Sequence, residues 1–79
     1  MKYSKYRIED HQIVFDFYEF YFSSMRKNKV LTLDRIKCVD FNNFPASMEI
    51  DDGEIIFFNH GDDENIMKFA EQHQITQCK

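Results

Sequence analysis

Apolar and polar positions alternate along most of this chain with a period of two, and that pattern predicts strands before anything else is considered. The clearest case is Ser47-Met48-Glu49-Ile50-Asp51-Asp52-Gly53-Glu54-Ile55-Ile56-Phe57-Phe58. It predicts a β-hairpin turned on Asp52-Gly53, a dipeptide that accepts positive φ angles at low cost. In that register Ile50 faces Ile55 and Met48 faces Phe57, forming one apolar face. Glu49, Asp51, Glu54, Ile56 and Phe58 then share the opposite face.

Upstream, Tyr6 and Ile8 open a first strand, with residues 9–12 as a turn and residues 1–5 expected to fray. In residues 13–22 a helix would be apolar all round, so aromatic and β-branched enrichment predicts a strand, with Ile13, Phe15 and Phe17 on one face. The phase shifts beyond Asp16 and Tyr18, which predicts a bulge or bend at Tyr18-Glu19. Arg26-Lys27-Asn28-Lys29 reads as a polar connection leading into a strand at Val30-Leu31-Thr32-Leu33. After a short break at Asp34-Arg35, residues 36–41 resume as a strand with Ile36 and Cys38 on one side. Pro45 ends pairing in the loop at residues 42–46. Beyond Gly61, Ile66, Phe69, Ala70 and His73 fall at helical spacing, with Met67 and Ile75 widening the stripe. Asp62 or Asp63 is the expected cap.

These elements predict an α+β fold: a curved antiparallel sheet of four or five strands with one C-terminal helix. Seventy-nine residues make a single domain, 1–79, with the last three residues frayed like the first five. At 43% hydrophobic and 16% aromatic the chain is too apolar for disorder at a net charge of −4. A core this small makes a partner or self-association a plausible source of stability.

Charge changes the picture more than composition does. Residues 1–40 carry eight basic and six acidic side chains, giving +2, whereas residues 41–79 carry two and eight, giving −6. An acidic half argues against direct nucleic-acid binding and suits a cationic partner surface. The small basic tip at Arg26, Lys27 and Lys29 reads as a solubilising turn or as a contact for an acidic surface. No stretch is apolar and long enough to span a membrane. Cys38 and Cys78 form no metal-binding spacing and no disulfide framework, so Cys38 reads as a small core residue and Cys78 as an exposed tail thiol in a reducing cytoplasm.

Chemistry-bearing motifs are sparse. Asp51-Asp52-Gly53-Glu54 lacks the ligand spacing of a calcium loop, and turn and cap chemistry accounts for these carboxylates. His11, His60 and His73 have no nucleophile or base partner at an identifiable spacing, so no enzyme, metal or cofactor is expected. Two functional readings follow. In the first, the chain is an interaction module that binds a protein partner or itself through an aromatic strand surface of Phe15, Phe17, Tyr18, Phe20 and Tyr21. In the second, it is an acidic inhibitor or immunity protein that blocks a basic site through Asp51, Asp52, Glu54, Asp62, Asp63 and Glu64.

The sequence of elements resembles small bacterial pleckstrin-homology-like domains. Leu33-Asp34-Arg35-Ile36 followed by Val39 is similar to that family's I-x-x-V step, and residues 47–55 resemble its L-x-L-x-D-G-x-x-I hairpin. The resemblance runs from Tyr6 to Ile75. It implies a binding scaffold with a closing helix and no catalytic residue.

Overall fold

A computed structural model describes residues 3–18 and 26–79. Three strands, β1 (Lys5–Glu9), β2 (Gln12–Tyr18) and β3 (Arg26–Thr32), form one antiparallel sheet in the order β1-β2-β3. Three more, β4 (Ile36–Asp40), β5 (Ser47–Ile50) and β6 (Ile55–Phe57), form a second in the order β4-β5-β6. The helix α1 (Asp63–Gln72) follows. The fold is therefore α+β with antiparallel sheets, but the single curved sheet of four or five strands is corrected to two separate three-stranded sheets. A 3-10 turn at Leu33–Arg35 makes the division: it redirects the chain, so β4 starts a new sheet instead of pairing with β3. The Arg35 guanidinium donates to the Val30 carbonyl at 3.1 Å, and the Arg35 carbonyl accepts from the Asp51 amide at 2.9 Å. One corner residue thus joins the two sheets.

Both sheets and the helix contribute to one core. Ile13, Phe15, Phe17 and Leu31 enter it from the first sheet, and Ile36, Val39, Met48, Ile50 and Ile56 from the second. Ile66, Phe69 and Ala70 come from α1. Met67, placed on that stripe by spacing, is exposed.

The β5–β6 hairpin differs from its expected register by one residue. Met48 pairs with Ile56, Glu49 with Ile55 and Ser47 with Phe57. The connection has three residues, Asp51-Asp52-Gly53, because the Ile50 amide bonds the Glu54 carbonyl at 3.0 Å and Gly53 sits at φ +88°. A glycine in the left-handed region closes such a loop with a bulge, where a two-residue turn would not. Since side chains alternate faces, the slip exchanges the two sides of β6, while β5 keeps Met48 and Ile50 on the inner face. Ile56 and Phe58 are buried, and Ile55 and Phe57 lie on the outer face.

A second phase change lies in β4. The register shifts between Ile36 and Cys38, so Ile36 and Val39 are both buried. Cys38 is partly buried opposite Glu49 and lies outside the core cluster its alternation implied.

Arg26, Lys27 and Lys29 lie within β3 and pair with β2, so they are not a turn. The expected bend at Tyr18-Glu19 falls at the boundary of the described residues. Phe20, Tyr21 and Phe22 lie outside them.

Candidate functional site

Tyr3 and the tail at residues 77–78 are anchored where fraying was expected. Tyr3 is only 4% exposed. Its hydroxyl donates to Asp62 Oδ2 at 2.6 Å and accepts from the Asn59 amide at 2.9 Å, and Asn59 Nδ2 donates to the Tyr3 carbonyl at 3.1 Å. Burial, and then the hydrogen bond to Asp62, push the Tyr3 hydroxyl well above its ordinary value of 10.0. Asp62 precedes α1 in a helical conformation and makes no side-chain cap, so its carboxylate serves Tyr3 and not the helix. At the other end, Gln77 forms a parallel bridge with Val39. The Val39 amide donates to the Thr76 carbonyl at 2.9 Å, and the Cys78 amide donates to the Val39 carbonyl at 2.7 Å. That tail delivers Cys78 to Cys38, and the two form a disulfide with Cα atoms 5.0 Å apart. The expectation of an exposed tail thiol is corrected, for a reason that lies in long-range pairing and not in spacing.

The opposed halves of the charge distribution meet inside the molecule. Lys29 Nζ lies 2.6 Å from Glu54 Oε1 and 3.3 Å from Asp52 Oδ2. Its side chain is 18% exposed and that of Glu54 is 22% exposed, so this pair is shielded from solvent. Burial by itself would lower the lysine's pKa, but hydrogen bonds to Glu54 and Asp52 outweigh it and hold the ammonium above its ordinary value. The Glu54 amide, followed by Lys29, holds Asp52 below the usual carboxylate range. Arg35 lies 3.6 Å from Asp51. Three of the six acidic residues read as a partner-facing set, Asp51, Asp52 and Glu54, are thus engaged by cations of the same chain. Asp62 is engaged by Tyr3. Asp63 and Glu64 occupy the first turn of α1 and have no side-chain ion pair or hydrogen bond among the described residues.

Of the aromatic strand surface, Phe15 and Phe17 are buried in the core and present nothing to a partner. The correction has a simple cause: β2 is the central strand of its sheet, and its inner face is covered. The side chain of Tyr18 is not described, and Phe20 and Tyr21 lie outside the described residues.

Among the described residues, the aromatic side chain most exposed to solvent is one that alternation did not select. Phe44 is 84% exposed in the loop between β4 and β5, next to Pro45, with which it forms a cis peptide bond. The loop is fastened by Asp40, whose carboxylate accepts from the Asn42 and Asn43 amides and from Asn43 Nδ2. The Asn43 side chain leads in holding Asp40 below its ordinary range. Phe44, Pro45, Ala46, Phe58, Asn59, His60 and Asp63 line a recess of about 250 Å³. Its only sequence signal was an aromatic residue in the polar run Asn42-Asn43-Phe44-Pro45.

A third assembly lies on the outer face of the second sheet. One ligand atom each from Cys38, Glu49 and Cys78 lies within 4.8 Å of the others, and Lys37 Nζ is 3.2 Å from Glu49 Oε2. Elsewhere, His11 and His73 meet edge to face with ring centroids 5.3 Å apart, and His73 also packs on Phe69 at 4.6 Å. Among the described residues no helix is long and apolar enough to cross a membrane. Comparison with protein-family models, with curated proteins and with solved structures gives no match.

Proposed function

We propose that this chain is a small non-catalytic module that binds a basic protein surface, with the Phe44 recess and the acidic first turn of α1 as its contact. The observation that carries this reading is Phe44 itself, 84% exposed at a recess whose lining includes Phe58, His60 and Asp63. An exposed aromatic next to a concavity is the usual form of an interface anchor. A lysine or arginine side chain entering the recess meets aromatic rings and a carboxylate, two features that attract a cation. Glu64 and the −6 charge of residues 41–79 extend the same complementarity and would speed encounter at low salt.

This reading joins the two drawn from the sequence, a protein-binding module and an acidic blocker of a basic site. It moves the aromatic contribution from β2 to Phe44, and the acidic contribution from the hairpin to the helix start. The absence of catalysis rests on the sequence, in which no nucleophile stands at a recognisable spacing from a base. The resemblance to pleckstrin-homology-like domains carries over as a proposal of kinship, supported by the order of strands, Asp-Gly hairpin and closing helix. As to compartment, the Cys38–Cys78 bond favours one in which disulfides persist, in place of the reducing cytoplasm that unpaired cysteines implied.

The test is capture of partners from source-cell lysate by the wild-type chain and by Phe44→Ala and Asp63→Asn, at low and high salt. The expected result is a basic partner that dissociates at high salt and is lost with both variants. A partner captured equally by all three proteins, with no dependence on salt, would refute the reading.

A further inference from the structure

We propose that when the Cys38–Cys78 bond is reduced, Cys38, Glu49 and Cys78 form a binding site for a thiophilic divalent cation, of which zinc fits best. The three ligand atoms already lie within 4.8 Å of one another. Two zinc-bound thiolates in tetrahedral geometry sit roughly 3.8 Å apart, given Zn–S bonds of about 2.3 Å, so the cluster needs only a small opening of the sulfur pair. Two thiolates and a carboxylate suit zinc, while calcium and magnesium require more oxygen ligands. Solvent would complete the fourth position.

The ligands are placed by contacts independent of the disulfide. The register shift in β4 places Cys38 directly opposite Glu49. Hydrogen bonds from the Val39 amide to Thr76 and from the Cys78 amide to Val39 hold the tail on either side of Gln77. Gln77 Nε2 also donates to Asp40 Oδ1 at 3.3 Å. Cys78 therefore stays beside Cys38 after the covalent bond has gone. Lys37, 3.2 Å from the Glu49 carboxylate, is positioned to orient that ligand and to offset the charge of a three-anion site.

The chemistry balances in two steps. A dithiol reductant supplies two electrons and two protons to the sulfur–sulfur bond and becomes a disulfide itself, leaving Cys38 and Cys78 as thiols. Zinc then displaces a proton from each thiol and binds two thiolates and the existing Glu49 carboxylate. A disulfide oxidant reverses the sequence: it takes two electrons from the Cys38 and Cys78 thiolates and becomes two thiols with protons from solvent, the Cys38–Cys78 bond re-forms, and the cation is released. The site is thus occupied by a disulfide in one redox state and by a cation in the other.

The experiment titrates Co(II), then Zn(II), into the full chain with its disulfide intact and after reduction by a phosphine, which is not a thiol ligand. Visible d–d absorption reports tetrahedral Co(II), and near-ultraviolet charge transfer reports thiolate ligation. The same titration on Glu49→Gln tests the third ligand, and circular dichroism follows the fold throughout. The expected result is stoichiometric, zinc-displaceable binding in the reduced chain only, weakened at least about tenfold by Glu49→Gln, since even outer-shell partners of a metal contribute that much. If reduction loosens the fold, metal should restore the spectrum of the oxidised chain. No binding after reduction, equal binding by the oxidised chain, an unchanged affinity in Glu49→Gln, or metal bound to a chain that stays unfolded would each overturn the proposal.

Discussion

Reducing the Cys38–Cys78 bond, or replacing Cys78 with Ser, frees a loop whose ends are 40 residues apart in sequence. Loop closure over that length removes about 4 kcal/mol of conformational entropy from the unfolded chain at room temperature. A domain of 79 residues has a total stability of about 4–12 kcal/mol. The cross-link therefore accounts for a third or more of what holds the domain folded. At about 4–8 °C per kcal/mol for a chain of this size, the melting temperature should fall by roughly 15–30 °C. The assay is thermal unfolding followed by circular dichroism for the oxidised, reduced and Cys78→Ser proteins, with a metal chelator present so that bound cations do not contribute. The reduced and substituted proteins should agree, because both lose the same covalent constraint. Hydrogen bonds from Val39 and Cys78 keep the tail docked in either case, so the native fold should be the same below the transition. A fall of less than about 5 °C in both proteins would refute the loop-closure reasoning.

Two further predictions concern the polar contacts between distant parts of the chain. Tyr3→Phe removes a buried hydroxyl that joins Asp62 and Asn59, and should cost about 1–3 kcal/mol, read as a lower denaturant midpoint with an unchanged slope. The folded state raises the pKa of this hydroxyl, so its stabilising effect is complete below the unfolded value of 10.0 and is lost as pH rises through the folded value. Alkaline titration of stability should consequently be shallower in Tyr3→Phe than in the wild type; equal slopes would dissociate Tyr3 from the effect. Lys29→Met leaves Glu54 shielded without its cation and should cost about 1–3 kcal/mol, partly recovered in the double variant with Glu54→Gln. Additive losses in that double-mutant cycle would mean that the ion pair is not the source of the coupling.

Sequence reasoning located most of the elements because they depend on local alternation and turn chemistry. The strand at residues 12–18, the strand from Ile36, the Asp-Gly hairpin and the helix from Asp63 are all legible in nearest-neighbour patterns. Helical spacing likewise pointed to Ile66, Phe69 and Ala70 as the face packed on the sheet, and all three are buried, whereas Phe15 and Phe17, read as a partner surface, are buried as well. Alternation does not reveal where its own phase breaks. A three-residue loop in place of a two-residue one exchanged Ile55 and Phe57 for Ile56 and Phe58. One register shift in β4 placed Cys38 opposite Glu49 and outside the core cluster that holds Ile36 and Val39. Phe44 was passed over because a loop aromatic belongs to no periodic face, and only the recess beside it gives its exposure a meaning.

What the sequence by itself determined was the kind and order of the elements and an electrically divided chain. Only the tertiary structure decided that the division would be partly neutralised within the molecule, by Lys29 and Arg35 on the hairpin carboxylates. It also decided that six strands would form two sheets, that Tyr3 would fasten the start of the helix, and that Cys78 would reach Cys38. The reason is common to all of these. Local preferences act over a few residues, whereas each of these outcomes joins groups more than a dozen positions apart, whose meeting is set by how the sheets and helix cover one shared core.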